Sequence, residues 1–219
     1  MAAFLLAAPL YELDASGQEK PPEFAPAGIT FASSIPYPKE GTAGLVGLLV
    51  DLDDSAQVKD VQVLRDLSPV TDSCLTAVKG WKFAPAEINK KRSPAKLPVE
   101  IIFNPRDLVS QSIPLPSSVA ESPPQESGQF APPEVLTGWY AAYPEHSSAS
   151  GTLVLDVTVN KDGRVSRVSI VRSRVASLTK PAEDSVKKWT FKPGTLAGIP
   201  IVSKIVVAFV FRSSPFRSS

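Results

Sequence analysis

An eight-residue signature occurs twice in this chain. VKGWKFAP runs from Val78 to Pro85, and VKKWTFKP runs from Val186 to Pro193, 108 positions later. A pattern that recurs at a long fixed spacing marks a duplicated structural unit, which constrains the fold more than any single element does. The copy extends in both directions. Tyr37-Pro38 answers to Tyr143-Pro144, Gly44 to Gly151, and Phe103 to Phe211. Pro21-Pro22-Glu23 resembles Pro132-Pro133-Glu134 with looser spacing. At 219 residues the length allows one or two domains. The repeat selects two of about 85 residues, each large enough for a modest core.

Each copy begins with a nearly continuous apolar run, LVGLLVDL from Leu45 and TLVLDVTV from Thr152. Such a run predicts a strand with neighbours on both sides. A polar turn follows, and Asp162-Gly163 is a hairpin signal with Gly163 free to take positive φ. Next comes an alternating strand, Val165, Val168 and Ile170, matched by Val58, Val61 and Val63. The step of three from Val165 to Val168 predicts a bulge near the turn. Val70, Cys74, Ala77, Val78 and Trp81 then fall at helical spacing, as do Leu178, Ala182, Val186 and Trp189. Ser68-Pro69 and Thr179 with Pro181 are the expected helix starts. The final strands are PVEIIF, Pro98 to Phe103, and IVVAFVF, Ile205 to Phe211. The fold class is therefore α+β: two copies of a strand–strand–helix–strand unit, each a three-stranded antiparallel sheet backed by helix. In each, the first strand is central and the last lies at an edge.

The organisation follows as an N-terminal segment (1–20), a first domain (21–105), a Pro/Ser-rich linker (106–131) and a second domain (132–219). Residues 104–133 hold seven prolines and six serines without helical or strand period, which reads as a semi-extended linker. MAAFLLAAPL at the start resembles the end of a secretory signal's apolar region without its basic leader; a short segment packed on a domain is the alternative. No run reaches the roughly 20 apolar residues of a membrane span. Residues 1–133 carry 11 Lys/Arg against 16 Asp/Glu, a net −5; residues 134–219 carry 12 against 6, a net +6. That asymmetry suits two domains that face each other or meet different partners, and equally two duplicated surfaces that have drifted apart in charge.

Taken together, Pro144, Gly151-Thr-Leu-Val-Leu-Asp-Val, Lys161-Asp162-Gly163-Arg164-Val165, Trp189-Thr-Phe191-Lys-Pro193 and Gly198-Ile-Pro200 resemble the C-terminal domain family of TonB, the periplasmic energy transducer of Gram-negative bacteria. The resemblance covers most of the second copy and, more weakly, the first, whose hairpin lacks Asp-Gly. It implies a non-enzymatic, periplasmic or envelope protein that holds an extended peptide of an outer-membrane transporter along its last strand, in the setting of energy-coupled transport. The physics is strand addition: an edge strand's spare N–H and C=O groups are satisfied by a guest. Carried over, the partner-binding edge is Lys204, Ile205, Val206, Val207, Ala208, Phe209, Val210 and Phe211. Pro98 makes the first copy the poorer acceptor. Without a spanning helix, the chain reads as an interaction module and not as a complete transducer. Because IVVAFVF is apolar on both faces, something must cover it. A peptide, the N-terminal segment, a second protomer in a homodimer, or the other copy would serve. The last of these makes the chain an envelope structural or assembly protein with no peptide groove.

Other sites carry weaker chemistry. Ser177-Leu178-Thr179-Lys180 matches the Ser-x-x-Lys of penicillin-recognising enzymes, but no Ser-Asp-Asn or Lys-Thr-Gly accompanies it. His146 is the one histidine and lies in a Ser-rich loop. Asp51, Asp53 and Asp54 lack the glycine and terminal glutamate of a calcium cage and read as a solvated turn. Cys74, the one cysteine, and the two helix-end tryptophans read as core; Trp139 fits core or contact. Asn89-Lys90-Lys91-Arg92 and Lys187-Lys188 are basic, yet a net charge of +1 argues against nucleic acid. No cofactor and no metal is expected.

Overall fold

The computed structural model of the chain describes residues 12–13, 19–20, 22–38, 42–104, 111–115, 130–144, 147 and 149–212. The first half contributes β1 (Gly28–Phe31), β2 (Gly44–Leu52), β3 (Val58–Arg65), α1 (Thr71–Lys79), β4 (Lys82–Ala84) and β5 (Ala95–Asn104). The second half repeats that order with β6 (Glu134–Thr137), β7 (Gly151–Val159), β8 (Val165–Arg172), α2 (Ala176–Val186), β9 (Thr190–Lys192) and β10 (Ser203–Phe211). Shorter strand pairs lie around these.

The fold class is mixed α and β, as expected, but the expected pair of separate sheets is corrected. Six long strands form one sheet in the order β8-β7-β10-β5-β2-β3. Within each half the first strand is central and antiparallel to both neighbours. The halves meet at β5 and β10, which run parallel.

The helices lie on opposite faces of this sheet. Val70, Cys74 and Val78 pack with Val46, Leu48 and Val50 in one core; Leu178, Ala182 and Val186 pack with Leu153, Leu155 and Val157 in the other. Successive strand residues point to opposite faces, so neighbours enter different cores. The cores are consequently shared between halves. Val206, Ala208 and Val210 enter the first core, and Leu45 and Ile102 enter the second.

The predicted bulge is present: Val159 pairs with Val165 and Thr158 with Arg167, leaving Ser166 extra. Gly163 takes φ +78°, and a Cβ there would sit 1.9 Å from the Phe191 carbonyl oxygen. Its own carbonyl accepts from the Phe191 N–H at 2.9 Å, so the turn is tied to the Trp-x-Phe run. The helix starts are corrected. α1 follows Val70 with no side-chain cap, and Ser68-Pro69 lies in the turn before it. α2 starts at Ala176, which puts Pro181 inside the helix. Trp81 and Trp189 are nearly fully buried, as expected. Part of the expected linker is ordered into the fold. Ile113 is buried in the second core, and Phe130 stacks on Phe24 at 5.4 Å. No described helix is long and apolar enough to cross a membrane.

Candidate interaction surface

Residues 204–211 do not form a rim. On one side, β10 pairs with β7 along its whole length, from Ser203 opposite Val159 to Phe211 opposite Gly151. On the other, six consecutive residues pair with β5, from Val206 opposite Val99 to Phe211 opposite Asn104. The expected open edge is thus corrected: the row of backbone groups from Val206 onward is occupied by the first half. The cause lies in composition. From Ile205 onward β10 is apolar on both faces, and β5 is apolar on one face and mixed on the other, where Ile102 stands between Glu100 and Asn104; leaving β10 uncovered would expose an adhesive edge. Pro98, which lacks an N–H, stands one residue before the parallel ladder begins.

Two polar side chains lock the halves together, and no sequence pattern flagged them. Asn104, fully buried at the end of β5, reaches the second half. Its Nδ2 donates to the Ala141 carbonyl at 3.1 Å, and its Oδ1 accepts from the Ala141 N–H at 2.8 Å. Thr152 on β7 reaches back. Its Oγ1 accepts from the Ile35 N–H at 2.9 Å and donates to the Ile35 carbonyl at 3.0 Å. Each side chain satisfies both backbone groups of one residue, as a strand neighbour would. Arg172 adds bonds from its guanidinium to the Ala32 carbonyl and the Ser34 hydroxyl. The segment before each half's central strand therefore lies across the other half.

The arm at Tyr140, strands β7 and β8, helix α2, the Trp-x-Phe-x-Pro run and β10 form a continuous stretch whose pattern can be compared with known families. Residues 140–213 match the family of the Gram-negative bacterial TonB protein C-terminal. The match covers the second half and not the first. No curated protein and no solved structure matches the chain. The TonB C-terminal family is one of non-enzymatic protein-interaction domains.

Ser177 is exposed, and Lys180, its Ser-x-x-Lys partner, is engaged by the Asp184 carboxylate. His146 lies outside the described residues. Trp139 is half-buried beside the second core, and its carbonyl accepts from Trp189 Nε1 at 3.2 Å and from the Ser185 hydroxyl at 2.6 Å. In the first half, Asp53 accepts from the N–H groups of Ser55 and Gln57 at 2.9 and 2.8 Å, a self-closed turn. Asn89-Lys90-Lys91-Arg92 forms the turn and start of a short hairpin, with Asn89 Oδ1 accepting from the Glu23 N–H. No described group of His, Cys, Asp or Glu could hold a metal. Burial pushes the Cys74 thiol up to about 12, which leaves it inert packing.

Two ion pairs sit on the sheet. Lys204 and Asp156 meet at 2.8 Å and are partly exposed. Arg65 and Glu100 meet at 2.8 Å with side chains 4% and 2% exposed, and Arg65 Nε and Glu100 Oε2 have no hydrogen-bond partner among the described residues. Burial raises Glu100 to about 7, against the lowering pull of Arg65.

Proposed function

We propose that this chain is a non-enzymatic, TonB-like protein-interaction module of the Gram-negative periplasm or cell envelope, in which two copies of one unit serve as each other's strand partner. The observation that carries this is the six-residue parallel ladder from Val99–Val206 to Asn104–Phe211. It occupies the backbone row along which the resemblance would seat a transporter peptide. The recurrence of VKGWKFAP as VKKWTFKP and the shared order of elements support duplication as the origin of the two halves. On this basis 21–105 and 132–219 act as one rigid body, and the role is structural or assembly-related, with no peptide groove on β10. Peptide capture in energy-coupled transport would need the ladder to open.

The test is a titration of the full chain with labelled peptides from the N-terminal segments of outer-membrane transporters, read by fluorescence anisotropy. No saturable binding is expected. Saturable binding accompanied by loss of amide protection at residues 206–211 would overturn the proposal.

A further inference from the structure

The same sheet leaves two rims, β3 and β8, each paired along its length with one long strand only. Both rims are bulged twice, which leaves one regular run on each: Asp60, Val61, Gln62 and Val63, and Arg167, Val168, Ser169 and Ile170. The two runs carry opposite charge. On β3, exposed Asp60 stands directly opposite Asp51 on β2, and neither has an ion-pair partner among the described residues. Like charges so placed repel unless a cation joins them. On β8, exposed Arg167 has no carboxylate partner among the described residues either, with Arg164 and Arg174 exposed at the strand's two ends. The counter-charges nearby are Lys59 beside Asp60 and Lys96 opposite Asp51 on β5 at the first rim, and Asp162 at the second, where Asp156 on β7 is already engaged by Lys204.

The molecule's charge asymmetry is not consumed where the halves meet. The β5–β10 ladder carries one charged residue, Glu100, which pairs with Arg65 of its own half. Each rim also has one apolar face. Val61 and Val63 lie on the α1 face and Val168 and Ile170 on the α2 face, with Val63 40% and Ile170 49% exposed. Asp60 and Arg167 lie on the reverse faces of their strands.

These facts select among ways of joining two copies edge to edge. Joining β3 to β3, or β8 to β8, about a two-fold axis normal to the sheet keeps apolar faces together but sets acid on acid or base on base. Joining β3 of one copy to β8 of the next, the second copy turned over about an axis across the strands, is antiparallel. It puts Val63 and Ile170 on one face and Asp60 and Arg167 on the other. We infer that copies of this chain associate head to tail, rim β3 of one against rim β8 of the next. The contact is heterologous, so it propagates and does not close at two copies. The four-residue run on each rim keeps it weak and reversible.

The inference rests on the closed β5–β10 ladder, so hydrogen exchange of residues 206–211 is followed in the same samples. Sedimentation velocity of the full chain from dilute to near-millimolar concentration should show mass rising past the dimer, and falling back as salt is raised. Asp60→Lys and Arg167→Glu should each weaken association about fivefold or more. An equimolar mixture of the two variants should regain it. A monomer at every concentration, a species that stops at two copies, or association indifferent to both reversals would overturn the inference. If the 206–211 amides stay protected in that case, the closed ladder survives; if they exchange freely, both fail.

Discussion

Ile102 belongs to the first half by sequence and to the second half by packing. It sits on β5, is fully buried, and lies in the core formed by Leu153, Phe209 and α2. Ile102→Ala removes three buried carbons and leaves a cavity, at a cost of about 3 kcal/mol. If the halves share one sheet, that cost falls on both. Trp81 reports the first core and Trp189 the second, so urea unfolding is followed by fluorescence in two backgrounds. One keeps only Trp81 and the other only Trp189, the remaining tryptophans being replaced by Phe. With a denaturant slope of about 2.5 kcal/mol per molar for a chain of this size, both midpoints should fall together by about 1 M. A Trp189 transition that does not move, or two transitions that separate in the parent proteins, would refute the shared core.

Asn104→Leu leaves the Ala141 N–H and carbonyl buried without partners and should cost about 2–4 kcal/mol in the same assay. Gly163→Ala forces a Cβ onto the Phe191 carbonyl at positive φ, and should lower stability by at least about 2 kcal/mol. Glu100 gives a pH dependence of defined sign. Its carboxyl rises from 4.5 to about 7 on folding, so the folded state holds a proton that the unfolded chain has released. The stabilisation is complete below about 4.5 and is lost as pH climbs to about 7. The difference is about 3 kcal/mol, measurable as a falling urea midpoint between those limits and flattened in Glu100→Gln.

The local order of elements was legible because it rests on local pattern. The three-residue step before Val168 gave the bulge, and the Val-Lys-x-Trp-x-Phe runs gave the buried tryptophans. The start of α2 is not legible because Pro181 resembles a first-turn proline. The structure instead places it mid-helix, where it forfeits the bond to the carbonyl of exposed Ser177. The partner of β10 was not legible. An apolar strand announces that it will be covered but not by what, since every candidate cover offers the same backbone groups. The available clue is one fully apolar last strand, Ile205 to Phe211, in a chain whose other copy ends in a second strand with an apolar face. Asn104 and Thr152 left none, because one buried polar side chain has no period.

Amide hydrogen exchange along β10, resolved residue by residue by NMR, tests the closed ladder most directly. In dilute, monomeric samples every amide from Val206 to Phe211 should exchange as slowly as the most protected core amides, while alternate amides of β3 and β8 exchange fast. Fast exchange of alternate amides within 206–211 would mean that one side of β10 faces water, contradicting the single six-stranded sheet.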